Sequence, residues 1–248
     1  MIIEYLTYTN YGYINFTKNN ILNFLNFKDD LSKLTVVALD KDSYIELTEF
    51  LKDRSNDIIL KLLETPYTKD EHFNSPNFKN ITSLKLRIIY QKLLKCEILH
   101  FFDGDVFFFK NPRQNILEKI KDNDMVFQQD SPRSDGHILY SNYVCTGNFT
   151  IKNTDNSLIL LDKLIKLIDY KQNDQELLYN YLNSKCSNIK DFKECDFDVY
   201  DPELFQNGYD TFKFNWYEKE NKVAIHANHM IGKDTKINSL KSVGAWLV

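Results

Sequence analysis

The stretch Ile98-Leu99-His100-Phe101-Phe102 is an apolar run that stops at Asp103-Gly104-Asp105. A run this apolar reads as a strand buried on both faces, which requires a sheet covered by helices. The ends of such strands are where open α/β sheets bind ligands. In an extended backbone, side chains at i and i+2 share a side, so the spacing predicts that Asp103 and Asp105 converge on one cation, with Gly104 adding no bulk between them. A hard divalent ion takes oxygen ligands and leaves positions that substrate phosphates complete. Asp and Gly are also ordinary turn formers, and in that alternative the pair merely opens a turn.

The rest of the chain supports a layered α/β fold. Residues 2–8 read as a first strand, and 18–27 carry apolar residues at helical spacing. Leu34 to Leu39 is a β-branched run ending at Asp40, followed by a helix over 42–53 and a short strand at 58–60. Residues 65–80, with Pro66, Pro76 and many Asn and Asp, read as a loop. A helix follows from Ile81 to Leu94, with Thr82 or Ser83 as its cap and Lys85 in its first turn. After Asn111-Pro112 come a helix over 114–121, a strand over 124–130 ending in Asp130, and strands over 143–151 around a polar kink at Thr146-Gly147-Asn148. Such a kink can line a pocket. An amphipathic helix over 157–170, another opening at Asp174, and short strands near 195–202 and 223–227 complete the alternation. Strands alternating with helices favour a sheet that is mostly parallel and flanked by helices.

At 248 residues, 43% of them hydrophobic, the chain suits one domain with an ample core. The net charge of −4, with both signs spread along the sequence, excludes a basic stripe for nucleic acid, so the expected partner is a small ligand. Cys96, Cys145, Cys186 and Cys195 show no zinc spacing and are expected to be reduced. No apolar segment approaches the roughly 20 residues that span a bilayer. The N-terminus reads directly as a strand, without a leader pattern, and these two features together predict a cytoplasmic protein.

A second cluster follows the last strand: His226, Asn228, His229, Gly232, Lys233 and Lys236. Imidazole, glycine and lysines together invite a metal and an anion, since neutral His ligates manganese as well as zinc and lysines balance diphosphate charge. Individually these residues have plainer readings: His226 as a core histidine, Asp174 as a helix cap, Lys85 as an exposed helical lysine.

Their order is what identifies them. Ser83-Leu84-Lys85, the strand ending Asp103-Gly104-Asp105, Asn111-Pro112, Thr146-Gly147-Asn148-Phe149, Asn173-Asp174-Gln175, the block from His226 to Lys236 and the terminal Gly244-Ala245-Trp246 succeed one another. This resembles the nucleotide-diphospho-sugar transferase family of GT-A fold, and at longer range the glycogenin-like retaining transferases. The resemblance implies a single Rossmann-like domain, with residues 1–110 binding nucleotide and 111–248 binding acceptor and closing the metal site. It implies that Asp103, Asp105 and His226 hold Mn2+ or Mg2+. The choice between His226 and His229 stays open, with His226 favoured. Thr9, Asn10, Tyr11, Lys85, Asp103, Gly104, Gly232 and Lys236 would contact the donor, a UDP-sugar by family default. Asp174 and Gln175 would sit beside the reacting sugar.

The implied reaction moves a hexose or pentose to a glycan or protein acceptor, with retention of configuration, as in glycan biosynthesis. One departure stands out. The family kink begins with Asn where this chain has Cys145, which removes a hydrogen-bond partner from the sugar. Two alternatives compete: a haloacid-dehalogenase-like phosphatase with Asp103 as nucleophile and Asp105 as acid/base, and a nucleotide-sugar-binding protein without turnover. The Asn-, Lys- and Ile-rich composition suggests a microbial or viral source.

Overall fold

The computed structural model describes residues 1–54, 56–67, 76–130, 143–187 and 189–248. Strands β1 (Ile3–Thr9), β2 (Lys33–Ala38), β3 (Ile58–Leu62), β4 (Ile98–Phe102), β6 (Met125–Gln129), β7 (Val144–Lys152) and β8 (Phe197–Val199) form a seven-stranded sheet in the order β3-β2-β1-β4-β7-β6-β8. All neighbours run parallel except β7, which is antiparallel to both β4 and β6. Strands β5 (Val106–Phe108), β9 (Phe205–Asn207) and β10 (Ala224–His226) form a second sheet in the order β5-β10-β9, with α7 (Gly208–Lys213) following β9.

The strands are buried on both faces because their apolar residues serve two cores. In β4, Leu99 and Phe101 face one cluster with α3 (Pro76–Leu93), α5 (Asp155–Lys166) and α6 (Asp174–Asn183), while Ile98 and Phe102 face the other. That second cluster includes α1 (Ile14–Phe27), α2 (Lys41–Leu51) and α4 (Arg113–Ile120). The period of two is the strand's own geometry. The result is one α/β domain with a mostly parallel sheet between helical layers, as the sequence predicts.

Several boundaries differ from the sequence reading. α3 begins at Pro76, a residue suited to the first helical position, so residues 76–80 are helical, and residues 68–75 of the expected loop lie outside the described residues. Thr82 and Ser83 are therefore interior residues, and Lys85 lies in the third turn, away from the helix terminus. α6 is capped by Asn173, whose side chain accepts from Glu176 N–H while Glu176 reaches back to the Asn173 N–H. Asp174 is thus released from capping. The kink in β7 is a bulge within one continuous strand. Pairing steps from Phe127↔Phe149 to Gln128↔Cys145, which leaves Thr146-Gly147-Asn148 looped out from β6. Among the described residues no helix is long and apolar enough to cross a membrane.

Candidate active site

β1 and β4 are parallel neighbours, so Thr9-Asn10-Tyr11 and Asp103-Gly104-Asp105 leave the sheet side by side at its carboxyl edge. Asp40, which caps α2, receives the Tyr11 N–H at 2.9 Å and the Ser43 N–H at 2.8 Å, fixing the first of these turns.

The acidic segment is not extended, contrary to the sequence expectation. β4 stops at Phe102, and Val106 N–H donates to Asp103 O at 3.2 Å, closing a turn. The chain turns because its polar atoms are claimed from several sides. Asp103 N–H donates to Gly147 O at 2.7 Å, and Asn20 Nδ2 donates to Asp103 O at 3.1 Å. Beyond the turn, Asn23 exchanges two 2.8 Å bonds with the Phe108 backbone, holding β5 against α1. Antiparallel pairing of β5 with β10 then sets His226 opposite Val106, and Ala227 N–H donates to Asp105 O at 3.0 Å.

Asp103, Asp105 and His226 each direct a ligand atom to one place, all within 4.8 Å of one another. His229 does not join them. It sits at φ 62° with Nε2 3.2 Å from Asp130 O. The donor set, two carboxylates and an imidazole, suits a divalent ion that tolerates both oxygen and nitrogen. The space between these groups is also kept open by the sequence: a Cβ on Gly147 would lie 2.4 Å from Asp103 Oδ2 and 2.4 Å from His226 Cε1. The residues present therefore fit a metal.

Cations already gather there. Lys236, on α8 (Lys233–Ser242), lies 2.5 Å from Asp105 Oδ2, and His226 Nε2 is 3.1 Å from Asp105 Oδ1. Burial alone would raise the Asp105 carboxyl, but Lys236 and His226 outweigh it and hold the group well below the usual carboxylate range. For His226, burial disfavours the charged ring, yet Asp105 and then Cys145 more than compensate and raise it well above its ordinary value. Asp103 goes the other way: desolvation pushes it up, against the pull of Lys85 and His226.

Lys85 is the opposite of an exposed lysine. It is 2% exposed, 2.9 Å from Asp174 Oδ2 and 3.3 Å from Asp103 Oδ1, and it donates to Thr146 O at 3.1 Å. Burial opposes its charge, but Asp103 and Asp174 raise it well above the ordinary lysine value. Gln175 donates Nε2 to Asp130 Oδ2 at 3.0 Å and accepts Thr146 N–H on Oε1 at 3.3 Å. Gly232, at φ 90°, immediately precedes α8 and accepts Lys236 N–H at 3.1 Å, while Lys233 turns away to Gly12 O at 2.8 Å.

Three contributions go beyond the sequence reading. Asp130 ties the site's elements together by accepting from Gln175 and, at 2.6 Å, from Asn228 Nδ2; its place at a strand end was the available signal. Cys145 Sγ lies 3.3 Å from His226 Nδ1. Buried Asn19, Asn20 and Asn23 recur on one face of α1, a polar stripe beside the buried Phe16, Ile21 and Phe24. Asn19 secures the C-terminus through Ala245 O at 3.1 Å, where Trp246 packs on Phe16 with ring centroids 5.2 Å apart.

A mixed sheet with a turn of two carboxylates at the end of β4, closed by a histidine from a late strand, defines a GT-A architecture. The family model for nucleotide-diphospho-sugar transferases matches residues 30–240, and the chain belongs to that family, one of glycosyltransferases. The match removes the phosphatase alternative. Solved structures agree on the fold. The glycosyltransferase GlyE of Streptococcus pneumoniae TIGR4 superposes with a TM-score of 0.62 at 13% identity, over 98% of this chain and 60% of that one. The chain thus spans less than two thirds of GlyE. The galactosyltransferase LgtC, solved with donor and acceptor sugar analogues, gives 0.62 at 10% identity, over 99% and 96% of the two chains. A glycosyltransferase involved in glycosylation of the major capsid of PBCV-1 gives 0.52 at 12% identity, over 98% and 99%. No curated protein sequence matches the chain.

Proposed function

We propose that this protein transfers a sugar from a UDP-sugar to a glycan or protein acceptor, with Mn2+ or Mg2+ held by Asp103, Asp105 and His226. The observation that carries the reading is the convergence of those three ligand atoms, within 4.8 Å, at the carboxyl edge of the sheet. When bound, the metal supplies a Lewis acid to the diphosphate leaving group.

The chain's own residues supply the rest. Lys236 reaches Asp105 from the first turn of α8, and its ammonium would face the phosphate oxygens of a donor bound there. Gly232 carries no side chain to cap α8, so the helix's first N–H groups point the same way. Lys85 spans Asp103 and Asp174 and is positioned for the donor's phosphate or sugar. Asp174, ion-paired with Lys85 in a buried setting, is placed to stabilise positive charge developing on the sugar ring. Gln175 is held in one orientation by Asp130 and the Thr146 N–H, beside that charge. Thr9, Asn10 and Tyr11 take the base, with Gly104 allowing close approach of the donor. In this reading residues 1–110 bind nucleotide, while residues 111–248 carry His226 and the acceptor side. Transfer would proceed with retention, as in the glycogenin-like branch the chain resembles, the acceptor hydroxyl losing its proton with assistance from the donor phosphate as the sugar–phosphate bond breaks.

Thermal unfolding against a panel of nucleotide sugars, with and without Mn2+, tests the proposal. Stabilisation by one donor that requires Mn2+ and vanishes in Asp105→Ala is expected. Equal stabilisation without Mn2+, or none by any nucleotide, refutes it. Mn2+-dependent donor binding with neither hydrolysis nor transfer would show a binding protein instead.

A further inference from the structure

We infer that Cys145 is a positioning residue for the metal centre: its sulfur accepts the Nδ1–H of His226 and thereby commits Nε2 to the ion. The inference rests on the metal reading above.

An imidazole ligates through the nitrogen that carries no proton, so its other nitrogen keeps the proton and needs an acceptor. In His226 the two nitrogens have separate partners. Nε2 faces Asp105 Oδ1 at 3.1 Å, within the ligand cluster, and Nδ1 faces Cys145 Sγ at 3.3 Å. Ligating histidines ordinarily hand this proton to a carboxylate, a carbonyl or water. Here a thiol occupies the position.

The sulfur has room to accept this proton. Gly147 N–H already donates to Cys145 Sγ, at 3.4 Å, which uses one of its two lone pairs. With Nε2 given to the ion, Nδ1 carries the ring proton, and the second lone pair accepts it. The sulfur is held in place by the sheet: Cys145 is buried, pairs with Gln128 of β6, and immediately precedes the bulge that carries Gly147. It contacts the ring through Nδ1, on the side away from the carboxylates, and the described residues that converge on the ion position are Asp103, Asp105 and His226. Cys145 therefore acts through His226. The bulge thus performs two tasks, leaving space with Gly147 and orienting the third ligand with Cys145.

A Mn2+ titration of the whole protein, read by the electron paramagnetic resonance of free Mn2+, tests this with and without UDP as probe. Loss of the acceptor in Cys145→Ala is expected to weaken Mn2+ binding about 10-fold or more, with Cys145→Ser recovering most of the loss and thermal unfolding confirming that each variant folds. Equal affinity in wild type and Cys145→Ala overturns the inference and leaves the metal reading standing. A wild-type protein that takes up no Mn2+ overturns both. If Cys145→Ala does not fold, the wild type still decides: with 15N-labelled histidine and saturating Mg2+, His226 should show a protonated Nδ1 and a bare Nε2. The reverse tautomer would refute the assignment.

Discussion

Gly147→Ala is the substitution whose effect follows most directly from the geometry. A Cβ there would lie 2.4 Å from both Asp103 Oδ2 and His226 Cε1, whereas ordinary contact begins at 3.4 Å. Each ligand must therefore retreat by about 1 Å, against a tolerance in metal–ligand distance of about 0.2 Å. The backbone cannot yield instead, since Gly147 O holds Asp103 N–H at 2.7 Å and Gly147 N–H is bonded to Cys145. A misplacement of that size should weaken Mn2+ binding about 10- to 100-fold, and overpacking adds about 1–3 kcal/mol of destabilisation, a fall in Tm of about 2–12 °C. Mn2+ titration and thermal unfolding measure the two separately. Gly104→Ala is the control, because its Cβ would meet only Phe16 Cβ, at 3.2 Å, and Mn2+ binding should survive. Wild-type Mn2+ affinity in Gly147→Ala would refute the reasoning.

The charge states make further predictions. His226 is raised above its ordinary value, so the stability it contributes is complete below about pH 6.5 and is lost as pH rises through its folded value. Asp105 is lowered, so its contribution is present above the ordinary carboxylate range and is lost only as pH falls through its folded value. Because Mn2+ must displace the Nε2 proton, its affinity should rise about tenfold from pH 6.5 to 7.5; a flat profile by titration would exclude His226 as a ligand. Lys85→Met leaves Asp174 buried without its cation, 4% exposed at the side chain, and should cost about 3–5 kcal/mol in chemical denaturation. Adding Asp174→Leu should restore most of that stability, and a single variant losing less than about 1 kcal/mol would disprove the pairing.

What the sequence made legible was set by range along the chain. The alternation of Leu99 and Phe101 against Ile98 and Phe102, the helix opening at Asp174 and the short strand before Ala227 are local patterns, and the structure contains each. The start of α3 was hidden because Ile81 is its first buried apolar residue; before it the helix shows no hydrophobic period. The burial of Lys85 was hidden too, because its partners lie 18 and 89 positions further along, at Asp103 and Asp174.

The departure at Cys145 shows most clearly where local reading stops. Taken as one position in a kink, a cysteine in place of asparagine subtracts a hydrogen bond from a sugar. Folded, the same sulfur meets an imidazole 81 residues away and a backbone N–H two residues away, so the exchange bears on how the His226 ring is held. The asparagines of α1 make the parallel case. Asn20 and Asn23 weaken the helix's apolar face as sequence, yet they bond to the backbone of the acidic turn and of β5, 83 and 85 residues on. Residue type at Asp103, Asp105 and His226 names the kind of ion a site can take. Whether the three converge is decided by the groups that bend the backbone between them, and those lie on α1 and in the β7 bulge. Substitutions at Asn20 or Asn23 should accordingly reach metal affinity without touching a ligand atom.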